Sequence, residues 1–318
     1  MILTVTLNAA IDRTVAVPNF HLGHRHRAVE SRTLAGGKGI NVARALRLLG
    51  RPVLATGFAG GPTGNRVLEE LRNESIPKDL TWIAAETRIN LAVVDPTSGE
   101  QTEINERGPA VSPEEVERFV ERLGYLARGA KICVLAGTLP PGAGDDLYAR
   151  LIEELRERGV VSILDSEGEP MRAGLRAGAS VVTPNELEAE ELVGQEFADG
   201  DDLGHGLSEL TRLGAGEAII TRPDGCVAAV GEGSERRLLE VRIRPLDPVS
   251  TVGSGDAFLA GYVAARYDGL PPEECLAYGV ACGAESTQHF GAGTVDRNQV
   301  ERLVGEVELR DLEVHAEV

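Results

Sequence analysis

The sequence is poor in aromatic residues and in positive charge. Phe, Trp and Tyr make up 4% of the 318 residues, so the chain offers few rings on which nucleic-acid bases could stack. Its 32 lysine and arginine residues face 50 aspartate and glutamate residues, which gives a formal net charge of −18. Because a surface of this sign repels a phosphate backbone, we expect no nucleic-acid partner.

Long apolar runs and paired cysteines are also missing. No apolar segment approaches the roughly 18 residues of a membrane span, so we expect no membrane partner. The first residues, Met1–Leu7, are typical of a strand and lack the basic leader and cleavage site of a signal peptide. The four cysteines form no CxxC pair and are interpreted as reduced core thiols: Cys133, Cys226, Cys275 and Cys282. We therefore expect a cytoplasmic protein.

Strands and helices alternate regularly from residue 112 onward. This pattern is typical of a mostly parallel sheet with helices on both faces, and 318 residues suffice for one large core of that kind. Four polar residues fall near the ends of predicted strands: Asp12, Asp165, Asn185 and Asp256. In open α/β sheets the ligand lies at the carboxyl ends of the strands, so we expect these side chains at one rim.

Two separated segments, about residues 12–35 and 87–107, alternate between polar and apolar residues. They predict a small sheet inserted into a single domain of residues 1–318, where it serves as a lid or a dimer surface. The first segment contains the cluster His24-Arg25-His26-Arg27, which suits either an exposed edge that resists strand pairing or the binding of an anion. In so acidic a chain we favour the anion.

The segment Thr251–Phe258 combines a glycine turn with a carboxylate. Gly253, Ser254 and Gly255 precede a long apolar helix, whose unpaired N–H groups and dipole suit an anion. Asp256 lies in the same turn. A carboxylate there fits phosphoryl transfer, because it can take the proton of the acceptor hydroxyl while the N–H groups stabilise the moving phosphoryl. The alternative is that Asp256 only caps the helix.

Two further polar motifs accompany this turn. Gly36–Asn41 is a glycine-rich approach to an amphipathic helix, but it matches neither the P-loop nor the dinucleotide-binding glycine spacing. Asn185 and Glu188 have the spacing of a helix capping box. The same pair suits Mg²⁺ held through water, since Mg²⁺ keeps several waters and needs few carboxylates.

Together these motifs resemble the phosphofructokinase-B branch of the ribokinase-like sugar kinases. Four segments carry the similarity, in the family's order and along nearly the whole chain: Gly36–Arg44, Thr138–Gly142, Asn185-x-x-Glu188 and Thr251–Asp256. The first and last are similar to the two family signatures, and the middle ones to its substrate-side turn and magnesium motif. The resemblance implies a ribokinase-like three-layer αβα core with a mostly parallel sheet and a small β-sheet lid.

The resemblance also implies roles for individual residues. Asp256 would be the base, beside an anion hole formed by Gly253, Ser254 and Gly255. The sugar phosphate would be surrounded by Asp12, Arg25, Arg27, Gly37, Lys38, Asn41, Arg88 and Thr138. Mg²⁺ and ATP would be bound by Asn185, Glu188 (through water), Thr221, Gly225, Val280 and Ala284. A monovalent cation such as K⁺ would lie among Ser250, Val252, Ser286, His289, Gly291 and Gly293.

Departures from the family pattern bear on the substrate. Thr183 stands where relatives often have lysine, which removes a charge from the nucleotide side. Glu103 stands where users of fructose 6-phosphate tend to have arginine, and it would repel a phosphate there. The segment Thr102–Asn105, with Asn90 and Arg27, is more similar to 1-phosphofructokinases and tagatose-6-phosphate kinases.

The resemblance therefore implies ATP-dependent transfer of the γ-phosphoryl group to the C6 hydroxyl of fructose 1-phosphate, giving fructose 1,6-bisphosphate. Tagatose 6-phosphate and fructose 6-phosphate are the alternative acceptors. Another sugar or nucleoside kinase of the ribokinase superfamily and a non-catalytic sugar-phosphate sensor are the remaining alternatives. We also expect a homodimer formed through the lid, because one face of the lid lacks cover.

Overall fold

The computed structural model describes residues 1–231 and 233–314, which form helices on both faces of a large sheet and a separate small sheet. The strands are β1 (Ile2–Thr6), β2 (Ala10–Ala16), β3 (Glu30–Gly36), β4 (Val53–Ala59), β5 (Lys78–Trp82), β6 (Arg88–Val94), β7 (Gln101–Asn105), β8 (Ile132–Ala136), β9 (Val161–Asp165), β10 (Val181–Val182), β11 (Glu217–Arg222), β12 (Gly225–Val230), β13 (Arg237–Arg242) and β14 (Glu308–Asp311). The helices are α1 (Lys38–Leu48), α2 (Gly61–Asn73), α3 (Pro113–Ala127), α4 (Leu147–Glu157), α5 (Gly168–Arg176), α6 (Glu186–Val193), α7 (Gly200–Arg212), α8 (Ser254–Tyr267), α9 (Pro272–Ser286) and α10 (Arg297–Leu303).

The large sheet is mostly parallel, as predicted. Its order in the described part of the chain is β14-β13-β12-β11-β10-β9-β8-β1-β4-β5. Neighbours from β5 across to β11 run parallel, and β12, β13 and β14 add antiparallel strands at one edge. Every residue of β1 and β8 is buried, because helices cover both faces of a parallel sheet.

The two apolar faces of the sheet form separate cores. Helices α1, α8 and α9 bury their apolar residues on one face, and α3, α4 and α7 bury theirs on the other. The four cysteines are buried and free, which confirms their interpretation as core thiols. No helix within residues 1–231 and 233–314 has the length and apolar character that crossing a bilayer requires.

The small sheet forms from the two segments that the sequence singled out. Its order is β3-β2-β6-β7, with β2 and β6 parallel. The register sets Asp12 opposite Asn90, and Asn90 opposite Asn105 on β7. A Cβ added at Gly36, the last residue of β3, would lie 1.9 Å from the Asp12 carboxylate, so any larger residue there would displace this carboxylate. One face of this sheet thus carries a row of polar side chains.

Some elements differ from the prediction. The nine-residue helix α5 was not predicted, although it buries Met171 and Leu175. The sequence predicts a helix over Asn65–Asn73, whereas α2 begins earlier, at Gly61, because Pro62 fits the first turn of a helix. The acidic end of the sequence, Glu306–Val318, predicts a solvated terminal strand or tail, and the structure forms β14 there, whose residues are all exposed. Residues 315–318 of this segment lie outside the described residues.

Candidate active site

A cavity of about 740 Å³ separates the large sheet from the small one. Residues that follow β1 and β8 form its floor, including Asn8 and Thr138, and the polar face of the small sheet forms a wall. Six of the predicted sugar-phosphate residues line it: Asp12, Gly37, Lys38, Asn41, Arg88 and Thr138. The structure therefore brings together side chains that lie up to 126 positions apart in the sequence.

Asp256 adjoins this cavity through Asn41. The carboxylate is 7% exposed and is not itself a lining residue, but Asn41 Nδ2, from the cavity wall, donates a 2.8 Å hydrogen bond to Asp256 Oδ2. Burial raises the pKa of Asp256 to about 7, and the charge of Asp165 adds to this. The hydrogen bond from Asn41 and the cations Lys38 and Arg44 act in the opposite direction. A carboxylate with a pKa near neutrality suits a general base.

The glycine turn before α8 has the geometry of an anion site. Gly253 is the N-cap residue, with a left-handed φ of 81°, and no side chain caps the helix. Asp256 is therefore not the N-cap, which removes the alternative that it only caps α8. A Cβ on Gly255 would meet open space, so the turn exposes its backbone on that side. Ser254 N donates to Thr251 O over 3.3 Å. The other N–H groups of the first turn have no partner earlier in the helix and suit a negatively charged group.

Lys38 and Asp165 form an ion pair at the same rim. Lys38 Nζ lies 3.0 Å from Asp165 Oδ1, so the first residue of α1 is tied to the last residue of β9. Burial alone would lower the pKa of Lys38, but Asp165, Glu188 and Asp256 raise it above its ordinary value. Lys38 therefore stays protonated and supplies positive charge close to Asp256. The resemblance assigned no role to Asp165, although the sequence had placed it at this rim.

Arg88 and Asp12 lie side by side on the small sheet. Arg88 donates from Nη1 to Glu106 O (2.7 Å) and from Nη2 to Asn8 O (3.1 Å), while its Nε is buried without a partner. Burial lowers the pKa of Arg88 and raises that of Asp12. Asn90 Nδ2 donates to Asp12 Oδ1 over 2.8 Å. These fixed geometries give the cavity one cationic and one anionic group for a polar ligand.

Arg25 and Arg27 do not reach the cavity. Both are exposed in the loop between β2 and β3 and are absent from its lining residues. The loop is held by His26, whose Nε2 lies 3.0 Å from His21 N and 2.9 Å from His21 O. In this conformation the two arginines face solvent, so the structure does not place them beside the other predicted sugar-phosphate residues.

The predicted nucleotide residues lie at the neighbouring strand ends. Asn185 Oδ1 accepts a 2.9 Å hydrogen bond from Glu188 N, and Glu188 Oε2 accepts one of 2.9 Å from Asn185 N. The capping box is therefore present. A backbone bridge pairs Asn185 with Thr221 at the end of β11, and Gly225 opens β12 just beyond. Val280 and Ala284 lie one turn apart on α9, where Val280 is buried and Ala284 is half-buried.

The carboxylates at this rim suit a metal held through water. Burial raises the pKa of Glu188, and Asp165 and Glu167 add to this effect. Within residues 1–231 and 233–314 no group of three or more His, Cys, Asp or Glu side chains is arranged to hold a metal directly. Mg²⁺ needs only one or two carboxylates and keeps several waters, so Glu188 with Asp165 nearby fits this ion.

Two loops near the glycine turn and the last residue of α9, Ser286, contain the predicted monovalent-cation residues. Ser250 N donates to Thr287 O (3.1 Å), which joins one loop to the other. Side-chain groups here are already engaged, because Ser286 Oγ donates to Gly283 O and His289 Nε2 lies 2.6 Å from Glu285 Oε1. Of the predicted set, those that line the cavity are Ser250, Val252 and Gly291. Backbone oxygens are therefore the ligands that the loops offer.

Sequence comparison identifies the family. The family model for pfkB family carbohydrate kinases matches residues 3–298. The chain belongs to the pfkB family. This pfkB kinase is 30% identical over 312 residues to a 1-phosphofructokinase of Borreliella burgdorferi. The alignment covers 98% of this chain and 99% of the relative. It is 29% identical over 316 residues to a tagatose-6-phosphate kinase of Staphylococcus epidermidis, covering 97% and 99% of the two chains.

A solved structure agrees with this assignment. Phosphofructokinase-2 of Escherichia coli in complex with potassium superposes with a TM-score of 0.89 at 29% identity, covering 96% of this chain and 98% of that chain. The expected family, kinase activity and ribokinase-like fold are thus confirmed. With sugar-phosphate kinases among its relatives, the protein is a sugar-phosphate kinase of the pfkB family, a kinase family that uses ATP with a metal ion.

Proposed function

We propose that this pfkB kinase transfers the γ-phosphoryl group of ATP to the C6 hydroxyl of fructose 1-phosphate, giving fructose 1,6-bisphosphate. The observation that carries the proposal is the buried Asp256, whose pKa of about 7 suits a base, next to an exposed glycine turn. In the reaction, the C6 oxygen attacks the γ-phosphorus and the bond to the β-phosphate oxygen breaks, so ADP leaves. Asp256 accepts the C6 proton, while Gly253, Ser254 and Gly255 direct N–H groups at the moving phosphoryl.

The cavity wall supports a sugar ligand. Three residues that line it each carry a buried oxygen without a hydrogen-bond partner among the described residues: Thr6 (Oγ1), Asn8 (Oδ1) and Asn90 (Oδ1). Such acceptors suit the hydroxyl groups of a sugar, since buried polar atoms are normally paired. Lys38 and Arg88 also line the cavity and add positive charge for the substrate phosphate.

Glu103 supports fructose 1-phosphate over fructose 6-phosphate. Its carboxylate lines the cavity and accepts hydrogen bonds from Gln101 Nε2 (2.8 Å) and Asn105 Nδ2 (3.4 Å). Its charge also raises the pKa of Asp12, so two carboxylates face the same region. Such a region accepts hydroxyl protons and repels phosphate. The tagatose-6-phosphate kinase relative keeps tagatose 6-phosphate as the alternative acceptor.

ATP binds, in this proposal, along Asn185, Thr221, Gly225, Val280 and Ala284. Mg²⁺, held through water by Glu188, would supply positive charge to the nucleotide phosphates. A monovalent cation such as K⁺ would be bound by oxygens of these residues: Ser250, Val252, Ser286, His289, Gly291 and Gly293. The support for K⁺ is the potassium complex of the E. coli relative and the left-handed φ of 97° and 76° at Gly291 and Gly293, which turns this loop back on itself.

We further propose that the small sheet is a lid within one domain, residues 1–318, and the surface through which two copies form a homodimer. A tetrameric inhibited form of the E. coli relative is in keeping with assembly. Contact of Arg25 and Arg27 with the sugar phosphate then requires movement of their exposed loop toward the cavity. The four buried free thiols support a cytoplasmic location.

An acceptor panel tests the proposal. ADP release is followed with fructose 1-phosphate, fructose 6-phosphate, tagatose 6-phosphate, fructose and adenosine. The proposal expects the highest kcat/KM with fructose 1-phosphate. A higher value with either other phosphate names that sugar as the acceptor, and one with fructose or adenosine points to another kinase of the superfamily. Binding of a sugar phosphate without turnover of any acceptor would make the protein a sensor.

A further inference from the structure

Arg44 is a buried arginine on the inner face of α1, where the other buried polar side chain is Asn41. It is 6% exposed, and its guanidinium donates to partners in four segments. Nε and Nη2 both bond Glu74, just after α2, the second at 2.9 Å. Nη1 bonds Asn41 Oδ1 (2.9 Å) and Ala292 O (2.9 Å), and Nη2 bonds Ala35 O (2.6 Å). Every N–H of the guanidinium is thus engaged.

The bond to Asn41 decides which way the Asn41 amide faces. A guanidinium only donates, so the oxygen of Asn41 must point at Arg44. The amide nitrogen then points the other way, where it donates to Asp256 Oδ2. With Oδ2 occupied in this way, Oδ1 of Asp256 is the oxygen left for a substrate proton.

The bond to Ala292 extends the same control to the glycine turn. A Cβ added at Gly253 would lie 2.5 Å from Ala292 Cβ, so the loop that holds Ala292 packs directly on the turn. The bond to Ala35 reaches the end of β3 in the small sheet, one residue before Gly36. One planar cation therefore fixes the base, the anion hole and the edge of the lid in a single geometry.

We propose that Arg44 is a positioning residue for phosphoryl transfer, which orients Asp256 through Asn41 and holds the Ala292 loop against the glycine turn. The proposal rests on the assignment of Asp256 as the base. Arg44 adjoins the cavity, but all its donors are taken by protein groups, so its loss should reduce kcat and not sugar-phosphate binding. Lysine cannot replace it, because one ammonium group cannot reach all four partners in the planar arrangement of a guanidinium.

A double-mutant cycle of Arg44→Lys and Asn41→Ala tests this inference. We expect each single substitution to lower kcat by about 10- to 100-fold, and Arg44→Lys to leave KM for the sugar phosphate within about threefold of wild type. Asn41 also lines the cavity, so its substitution is compared through kcat alone. In the Arg44→Lys background, Asn41→Ala should lower kcat by less than about a further threefold, because the two residues act as one unit. The proposal is wrong if the decrease in kcat in the double variant equals the product of the two single decreases. It is also wrong if Arg44→Lys raises KM and leaves kcat unchanged.

Arg266→Lys is the matched control. Arg266 lies on α8 and donates from Nη1 to Glu217 Oε2 (2.7 Å) and the Tyr262 hydroxyl (2.7 Å), away from the cavity. Arg266→Lys should leave kcat within about twofold of wild type. In the Arg266→Lys background, Asn41→Ala should lower kcat by the same factor as it does in wild type. If circular dichroism shows that Arg44→Lys is unfolded, Glu74→Gln takes its place in the same cycle. This substitution removes the carboxylate that binds the Arg44 guanidinium and so weakens its hold on the side chain. The same non-additivity is expected with it, and additivity contradicts the proposal.

The acceptor in these assays is whichever sugar phosphate is turned over, so the cycle does not depend on fructose 1-phosphate. Asp256→Asn is measured alongside. If that variant keeps activity within about tenfold of wild type, the base assignment fails and the positioning role fails with it. If it is inactive and the cycle is additive, the positioning role alone is wrong.

Discussion

The ion pair between Lys38 and Asp165 joins two residues that lie 127 positions apart and act on Asp256 in opposite directions. Their 3.0 Å contact brings a cation and an anion to the same rim. The charge of Asp165 raises the pKa of Asp256, and that of Lys38 lowers it. Because burial is the largest cause of the rise, the pKa of Asp256 remains near 7. The pair thus adjusts the proton affinity of the proposed base without touching it through a hydrogen bond.

Asp165→Asn should move the pH profile of kcat. Activity requires ionised Asp256, so in wild type log kcat should rise with pH up to a midpoint near 7. Removal of the negative neighbour lowers the pKa of Asp256, while Asn41, Lys38 and Arg44 remain. The midpoint of the kcat profile should move to lower pH by about one pH unit, even if the maximum kcat at high pH also changes. Steady-state kinetics from about pH 5 to about pH 9 measures it, with points on each side of neutrality.

Asp79→Asn is the control for that experiment. Asp79 lies on the edge strand β5, pairs with Arg122 and does not line the cavity. Its profile should match that of wild type. If the pH midpoint of kcat is unchanged in Asp165→Asn, or shifts equally in both variants, Asp165 does not act on the base.

Arg88→Ala should weaken sugar-phosphate binding. We expect KM for the sugar phosphate to rise by about tenfold or more with kcat within about threefold, because the guanidinium contacts the ground state and the transition state alike. Arg118→Ala is the control, since Arg118 also donates to a backbone carbonyl, Trp82 O, outside the cavity. An unchanged KM for Arg88→Ala would remove this residue from the sugar-phosphate site.

Glu103→Arg should change acceptor preference. Replacing a carboxylate in the cavity wall by a cation favours a phosphate there, so kcat/KM for fructose 6-phosphate relative to fructose 1-phosphate should rise by about tenfold. Glu100→Arg makes the same charge change at the turn of the same hairpin, where Glu100 is exposed like Glu103 but lies outside the cavity lining. A ratio that changes equally in both variants would point to the general field of the hairpin and not to Glu103.

Asp256→Asn should stabilise the fold above neutral pH. Because the folded-state pKa of Asp256 is raised from 3.8 to about 7, its ionisation costs stability progressively as pH rises through that interval. The asparagine variant escapes this cost, which grows by on the order of 1.4 kcal/mol for each pH unit crossed within the interval. Thermal unfolding should show a larger gain in Tm at about pH 8 than at about pH 4.5. An equal difference at both pH values would mean that burial does not disfavour the ionised form of Asp256.

Local sequence patterns predicted the parts of the fold that depend on short spacing. The alternation of strands and helices predicted the parallel sheet, and the polar segments around residues 12–35 predicted the small sheet. The Asn185-x-x-Glu188 spacing predicted the capping box that the structure contains. Each of these predictions rests on a pattern among residues that are close in the sequence. The helix α5 escaped prediction because nine residues carry too weak a periodicity.

Contacts between distant segments account for what the sequence could not show. Nothing within α1 reveals that Arg44 reaches Glu74, Ala35 and Ala292, although an arginine among buried positions is a signal that invites a search for partners. The ion pair of Asp165 depends on where α1 and β9 meet. The resemblance placed Arg25 and Arg27 at the sugar phosphate, whereas the loop conformation leaves them exposed.

Turnover and sugar-phosphate binding by Asp256→Asn, measured side by side, test the central claim most directly. Asparagine keeps the size of the side chain and a hydrogen-bonding group for Asn41 but accepts no proton. We expect kcat to fall by at least about a thousandfold, while calorimetry gives a Kd for the sugar phosphate within about threefold of wild type. Activity within about tenfold of wild type would contradict the assignment of Asp256 as the base that accepts the hydroxyl proton.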